Sequence, residues 1–346
     1  MPAPPLVQRL LRRLGCGGPP PGQSLVPDAM LFDWQRGAPG IEPSVDTQVP
    51  PALASRLRLD DPALEALRSR YRACDPAVTT PLLWAPGTLD EAALRAFRGE
   101  TAYVWQRRGA SRSINAYALA AYHLFSRTDS RAVARFAGMD EDGLCGAAVY
   151  EIAGRRVSRD LLDSLAELDC IDRELCLGPG GVTAILDIGA GYGRLAHRAL
   201  TAFPEMERFI CTDAVPESTY LCGLYLAHRG LDERALVAPL DRIDAELAAA
   251  PVQLAVNIHS FSECRPQAIA WWLDLLARHR VPWLLVAPNA QDHGGRELLT
   301  NDQQPFGPLM EQAGYRPRAV LPKYRDPVVQ RYGLSPTMYH LFEYAP

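Results

Sequence analysis

Residues 182–198 read VTAILDIGAGYGRLAHR. Val182, Ala184, Ile185 and Leu186 make a short apolar run behind the turn Gly178-Pro-Gly-Gly181, which predicts a buried strand. Asp187 closes the run. Gly189, Gly191 and Gly193 follow at alternate positions, and Leu195, Ala196, Ala199 and Leu200 then recur at helical spacing. Strand, glycine turn and helix let a backbone approach a bound ligand closely, because glycine has no Cβ.

The glycine spacing separates this turn from the dinucleotide fingerprint G-x-G-x-x-G, which sets a helix N-terminus against a pyrophosphate. Here the pattern is D-x-G-x-G-x-G, and it resembles motif I of class I S-adenosylmethionine (SAM) methyltransferases. SAM offers an ammonium, a carboxylate and a ribose diol. Asp187 near the glycines suits the ammonium. A second acid at the end of the next strand suits the diol, and Glu207-Arg-Phe-Ile-Cys-Thr-Asp213 reads as a strand ending on Asp213. A nucleotide-binding or degenerate module of the same fold is the competing reading of this stretch.

Outward from the motif, strands and helices alternate. Strands are expected at 182–187, 207–213, 234–238, 252–258 and 281–287, with helices at 193–202, 217–229, 241–249, 266–279 and 305–313. Two further apolar stretches, Tyr315–Val320 and Thr337–Tyr344, suggest a terminal antiparallel pair. The alternation predicts an α/β fold, a doubly wound and mainly parallel Rossmann-like sheet. The order 3-2-1-4-5-7-6 follows from the resemblance. Residues 1–50 are rich in Pro and Gly and read as an irregular arm. Residues 51–176 read as a helical N-terminal cap that contacts substrate, and 177–346 as the SAM-binding core. In the cap, helix starts are expected at Asp60-Asp-Pro, at the capping box Thr88-Leu-Asp-Glu91 and at Ser158, with helices over 113–126 and 129–139.

Composition narrows the function classes. A chain of 346 residues with net charge −4 and pI near 6.0 lacks the basic balance of an electrostatic nucleic-acid binder. Lys323 is the only lysine. With abundant Ala, Pro and Gly, this reads as codon bias. The eight cysteines are scattered and contain no C-x-x-C pair, which fits free thiols in a reducing cytoplasm. No apolar run approaches the roughly 18 residues of a membrane span, and the start LVQRLLRRLG reads as a helix end, not as a signal peptide.

Methyl transfer from a sulfonium is an in-line displacement, and a hydroxyl acceptor must lose its proton to a nearby base. His259, in VNIHSFSEC at the end of the fourth strand, stands where such a base belongs in a sheet whose ligands lie across the C-terminal strand ends. His-Ser-Phe-Ser-Glu resembles the His-Asp-Trp-Ser-Asp/Glu segment of small-molecule O-methyltransferases. The resemblance implies His259 as base, Phe261 as a wall and Glu263 as an orienting carboxylate, with Ser260 departing from the acid of that pattern. Glu263 read without it is a helix N-terminal acid. Asp241, after the third strand, is placed either to bind adenine or to cap a helix. Asp292 and His293 could join His259 and Glu263 around Mg²⁺, but the fourth strand ends in Asn257 and His259 where cation-dependent enzymes carry an acid, so no metal is expected. The remaining histidines lack acidic neighbours in sequence and read as packing or surface residues.

Taken together, YVWQRR (103–108), EDGLCG (141–146), VSRDLLDSLAEL (157–168), ILDIGAGYGRLAHR and NIHSFSEC resemble the sugar O-methyltransferase family of bacterial natural-product and glycan gene clusters, over roughly residues 100–345. The resemblance implies a hydroxyl of a deoxysugar or glycosylated metabolite as acceptor. Arg159 then either clamps the methionine carboxylate of SAM or forms an i,i+4 salt bridge to Asp163. The expected partners are a small hydroxylated acceptor and, at most, a second copy in a homodimer, with no nucleic acid, no membrane and a cytoplasmic setting. Rival readings are an N- or C-methyltransferase of the same fold, or a SAM-binding biosynthetic enzyme that transfers no methyl group.

Overall fold

The computed structural model describes residues 43–45, 48–84, 88–99, 130–152, 154–332 and 336–346. The strands are β1 (Ser44–Val45), β2 (Ala148–Ile152), β3 (Arg155–Val157), β4 (Ala184–Ile188), β5 (Arg208–Thr212), β6 (Ala235–Val237), β7 (Leu254–Ile258), β8 (Trp283–Ala287), β9 (Tyr315–Pro322) and β10 (Met338–Tyr344). The helices are α1 (Pro51–Ala54), α2 (Pro62–Tyr71), α3 (Pro76–Thr79), α4 (Glu91–Arg95), α5 (Arg131–Phe136), α6 (Arg159–Leu175), α7 (Arg194–Ala202), α8 (Pro216–His228), α9 (Ile243–Ala249), α10 (Pro266–Arg278), α11 (Gly307–Gln312) and α12 (Pro327–Tyr332).

Seven strands form one sheet in the order β6-β5-β4-β7-β8-β10-β9, which is 3-2-1-4-5-7-6 in its own numbering, as expected. β4 pairs in parallel with β5 and β7, and β10 runs antiparallel between β8 and β9. All five residues of β4 are buried, as a strand covered on both faces requires. Alternate β4 side chains enter two cores. Ile185 packs with residues of α6, α7 and α8, such as Leu165, Leu195 and Leu221. Ala184 and Leu186 pack with residues of α9, α10 and α11, such as Leu247, Trp272 and Met310. The sheet is therefore doubly wound. Among the described residues no helix is long and apolar enough to cross a membrane.

Among its described residues, the region ahead of the sheet contains strands as well as helices. β1, β2 and β3 form a three-stranded antiparallel sheet in that order. β2 and β3 are short, and Gly154, at φ +76°, lies in the turn between them, so neither carries the long alternation that marks a strand. Side-chain caps start its helices: Asp61 accepts from Ala63, Asp75 from Ala77, Ser130 from Val133 and Ser158 from Leu161. α4 begins two residues later than the capping box predicts, with Asp90 as its cap and accepting from the Ala93 amide. The expected helix at 113–126, the 103–108 segment and most of the 1–50 arm lie outside the described residues. Leu53, Leu57, Leu94 and Phe97 share the core of α6–α8, so the N-terminal elements close the same hydrophobic interior as the sheet. The seven described cysteines are all free.

Candidate active site

A cavity of about 570 Å³ opens at the C-terminal end of the sheet, walled by the loops leaving β4, β5, β7 and β8. Sheets of this type place ligands there, at the crevice where the strand order reverses. Asp187, Gly189, Gly191, Asp213, His259, Glu263 and Arg159 all line it. The sequence scatters these residues over more than a hundred positions, and the fold brings them to one wall.

The glycine turn is left-handed at each of its three glycines, with φ of +79° at Gly189, +57° at Gly191 and +84° at Gly193. Such angles strain any residue with a Cβ. A Cβ at Gly189 would lie 2.2 Å from the Ser260 hydroxyl, and one at Gly193 would lie 2.9 Å from Cys222 Sγ. Gly189 and Gly193 thus allow close packing of the turn against β7 and α8. Gly191 donates its amide to Asp213 Oδ2 at 3.0 Å, and Val215 donates to Oδ1 at 2.9 Å. These two bonds fix the Asp213 carboxylate beside the turn. Burial pushes both Asp187 and Asp213 up to about 7, although Arg194 pulls Asp187 down and the backbone amides pull Asp213 down.

Asn257 shapes the turn that presents His259. Its buried amide donates to the Ile188 carbonyl at 2.9 Å and to Ser260 Oγ at 2.6 Å, and its Oδ1 accepts from the Phe261 amide at 2.8 Å. The end of β7 is thereby tied to the end of β4. His259 itself is left-handed, at φ +68°, with its amide donating to Ala287 O at 2.7 Å. Strained backbone at a non-glycine residue persists only where its surroundings enforce it. The His259 Nδ1 is buried without a hydrogen-bond partner among the described residues. Burial, and then the charge of Lys323, lowers the imidazole to about 3, with Arg159 and Arg194 adding to the fall and Asp163 opposing it. The ring is a neutral acceptor at physiological pH.

Glu263 does not orient His259. Its Oε2 accepts the Trp84 indole N–H at 2.6 Å, the Asn289 side chain also bonds it, and its backbone carbonyl accepts from the Leu82 amide at 2.8 Å. Burial raises its carboxyl. The carboxylate ties the segment after α3 to the end of β8, and Trp84 and Asn289 become cavity walls. Asp241 lies outside the cavity lining and pairs with Arg70 of α2 at 2.8 Å on an exposed surface. It does not cap α9, whose N-terminus carries no side-chain cap. Asp292 and His293 likewise fall outside the lining, and the Glu297 amide donates to His293 Nδ1 at 3.2 Å. Among the described residues no three His, Cys, Asp or Glu side chains gather as a metal site. His279, expected to lack an acidic neighbour, meets Asp244 at 2.6 Å.

Arg159 forms the i,i+4 bridge, its Nε donating to Asp163 at 3.2 Å, and also faces the cavity. The pair is not a surface bridge, since both side chains are largely buried. Asp160 and Asp163, from the first turns of α6, line the same wall. Asp160 accepts from the Tyr192 hydroxyl at 2.7 Å and from Arg98 at 3.0 Å, and its Oδ1 has no partner among the described residues. Arg194, just past the glycines, forks onto Glu167 at 2.8 and 2.9 Å. The contributions of Asp160, Arg194 and Trp84 were not singled out by sequence. Arg194 adjoins the motif and Asp160 adjoins Arg159, so proximity was the available signal.

No family model and no curated protein matches the sequence. Solved structures match in part. A SAM-dependent methyltransferase from Aquifex aeolicus is 16% identical over 47% of this chain and 82% of its own, with a TM-score of 0.34. The cyclase SpnF is 13% identical over 57% and 87%, with a TM-score of 0.39. TrmK of M. capricolum, solved with S-adenosyl-homocysteine, is 12% identical over 51% and 67%, with a TM-score of 0.33. At such identities and scores no activity passes from those proteins to this chain.

Proposed function

We propose that the chain is a SAM-dependent methyltransferase acting on a hydroxyl of a small metabolite, with a sugar or glycosylated natural product as the acceptor class. The observation that carries the cofactor assignment is the hydrogen bond from the Gly191 amide to Asp213, which sets a carboxylate beside a glycine turn at the mouth of the sheet. Both Asp213 oxygens keep lone pairs for a ribose diol. Asp187, buried in the cavity wall, suits an ammonium, and Arg159 suits a carboxylate. The left-handed turn leaves room that side chains would fill. A bound sulfonium supplies the electrophilic methyl group. The residues then have to align an acceptor with it and exclude water.

His259 is the base in this reading. Its neutral ring lies on the cavity wall, and its strained backbone is held by Ala287 and the Asn257 turn. An acceptor hydroxyl against the imidazole gives up its proton there as the new bond forms. Glu263 holds Trp84 and Asn289, which bound the acceptor side of the cavity. The low basicity of His259 in the open cavity favours one alternative, an amine acceptor that is neutral when bound and needs no base.

The test is calorimetric titration of the full chain with SAM, followed by incubation with SAM and a panel of nucleotide sugars and glycosides. Release of S-adenosylhomocysteine with a methylated product supports the reading. Binding of SAM with product formed but no S-adenosylhomocysteine refutes methyl transfer. No binding at all refutes the cofactor.

A further inference from the structure

Two acids of α6 line the cavity, and their carboxylates are partnered differently. Asp163 uses both oxygens. Its Oδ1 accepts from Lys323 Nζ at 2.6 Å and its Oδ2 from Arg159 Nε at 3.2 Å. Lys323, the chain's only lysine, follows β9 and is buried behind the cavity wall, outside its lining. Asp160 uses one oxygen. Its Oδ2 accepts from the Tyr192 hydroxyl at 2.7 Å and from Arg98 at 3.0 and 3.3 Å, while Oδ1 is buried with no partner among the described residues. An ionised oxygen left buried and unpaired is costly. This one belongs to a side chain that lines the cavity and is 1% exposed.

The Asp160 carboxylate is held in place through Oδ2. Arg98, fully buried, also donates to Glu141 Oε1 at 2.6 Å and to Asp142 Oδ1 at 2.8 Å. Glu141 Oε2 in turn accepts from Ser158, the cap of α6, and from Arg198 of α7, each at 2.6 Å. The first turn of α6 is thereby tied to the helix that follows the glycine motif. Burial opposes ionisation of Asp160, but Arg198, Arg98 and Arg194 hold its carboxyl below the ordinary value, so Oδ1 is an anionic acceptor. Arg159, adjacent in sequence, lines the same wall. One helical turn therefore brings a cation and an anion side by side to the cavity, the pattern that a zwitterion matches.

We propose that Asp160 is a cofactor-binding residue whose Oδ1 accepts a hydrogen bond from the ammonium of the methionine end of SAM, beside Arg159 on the carboxylate. This rests on the reading of the cavity as a SAM site. An ammonium carries three N–H donors, so Asp160 adds to Asp187 and does not replace it.

The experiment titrates the full chain by calorimetry with S-adenosylhomocysteine and with its analogue in which hydrogen replaces the amino group, for the wild type and for Asp160→Asn. Asparagine keeps one oxygen for Arg98 and Tyr192 and turns an NH₂ toward the cavity, where it cannot accept. Wild type should bind the deaminated analogue about 10–100-fold more weakly than S-adenosylhomocysteine, the range of a charge-assisted hydrogen bond. Asp160→Asn should weaken S-adenosylhomocysteine by a similar factor and leave the analogue at its wild-type affinity, so the two losses do not add. An equal loss for both ligands would make Asp160 purely structural and overturn the proposal, and so would undiminished affinity for S-adenosylhomocysteine. Because the substitution removes a charge facing buried Arg98 and the variant risks unfolding, a crystal structure of the wild type with S-adenosylhomocysteine is solved as well. There the ligand nitrogen should lie within about 3.2 Å of Asp160 Oδ1, and a nitrogen beyond hydrogen-bond reach overturns the proposal. A wild type that binds neither S-adenosylhomocysteine nor SAM refutes the cofactor reading itself, an outcome distinct from binding that ignores Asp160.

Discussion

The amide of Gly191 and the carboxylate of Asp213 meet at 3.0 Å, joining the glycine turn after β4 to the end of β5. The two halves of the proposed cofactor site are therefore one hydrogen-bonded unit. Gly191→Val would force a β-branched residue to φ +57° and push a side chain toward the ligand's space. SAM affinity should fall below detection by calorimetry while the far-UV circular dichroism stays native. Undiminished affinity would dissociate the turn from cofactor binding.

Asp187 and Asp213 make the open site pH-sensitive. Both titrate near 7 in the folded chain, against 3.8 for an ordinary aspartate. Between those values the folded state binds more protons than the unfolded one, so these two groups make the protein less stable as pH rises from about 4 to 7. At pH 8, Asp187→Asn should raise unfolding free energy by about 1–3 kcal/mol in thermal or urea melts, and Asp213→Asn should gain less, because an amide oxygen can accept from only one of the Gly191 and Val215 N–H groups. Affinity for cationic SAM should rise over the same interval in the wild type, and each variant should flatten that rise.

His259→Ala should lower kcat by about 10²–10⁴ with the true acceptor, the usual contribution of a positioned base, and leave SAM affinity nearly unchanged. An ordinary histidine pKa would place a rate increase at pH 6–7. Burial and Lys323 move that limb to about 3, so His259 should contribute no acid limb above pH 5. A fully active His259→Ala variant would point to an amine acceptor.

A chain beginning at Asp172 tests how the cavity is walled. If residues 51–176 only chose the acceptor, such a fragment would keep SAM affinity. The cut instead removes Arg159, Asp160 and Asp163 from the wall and most of α6 from the core. The fragment should be unfolded or molten by near-UV circular dichroism and should bind no SAM.

What the sequence made legible was local. The glycine motif, the alternating apolar runs and the strand-end acids all declare themselves within a few turns of chain, and the sheet order came with the family resemblance that the motif carries. Asp187, Asp213, Arg159, Glu263 and His259, each singled out within its own stretch, line one cavity. Pairings across long separations were not legible. Glu263 meets Trp84 and Asp241 meets Arg70, each partner supplied by the region ahead of the sheet. Composition read Lys323 as codon bias, because nothing within ten residues of it reveals Asp163.

The Lys323–Asp163 bond also has a bearing on the order of assembly. Its two ends are separated by 160 residues, and closing so long a loop costs entropy that only the packed sheet offsets. A chain that has folded β4 and β5 holds a complete glycine motif, yet it lacks the brace behind the wall until β9 and β10 have paired. A C-terminally clipped molecule that lacks β9 and β10 would therefore carry the glycine motif without the bond that braces Asp163.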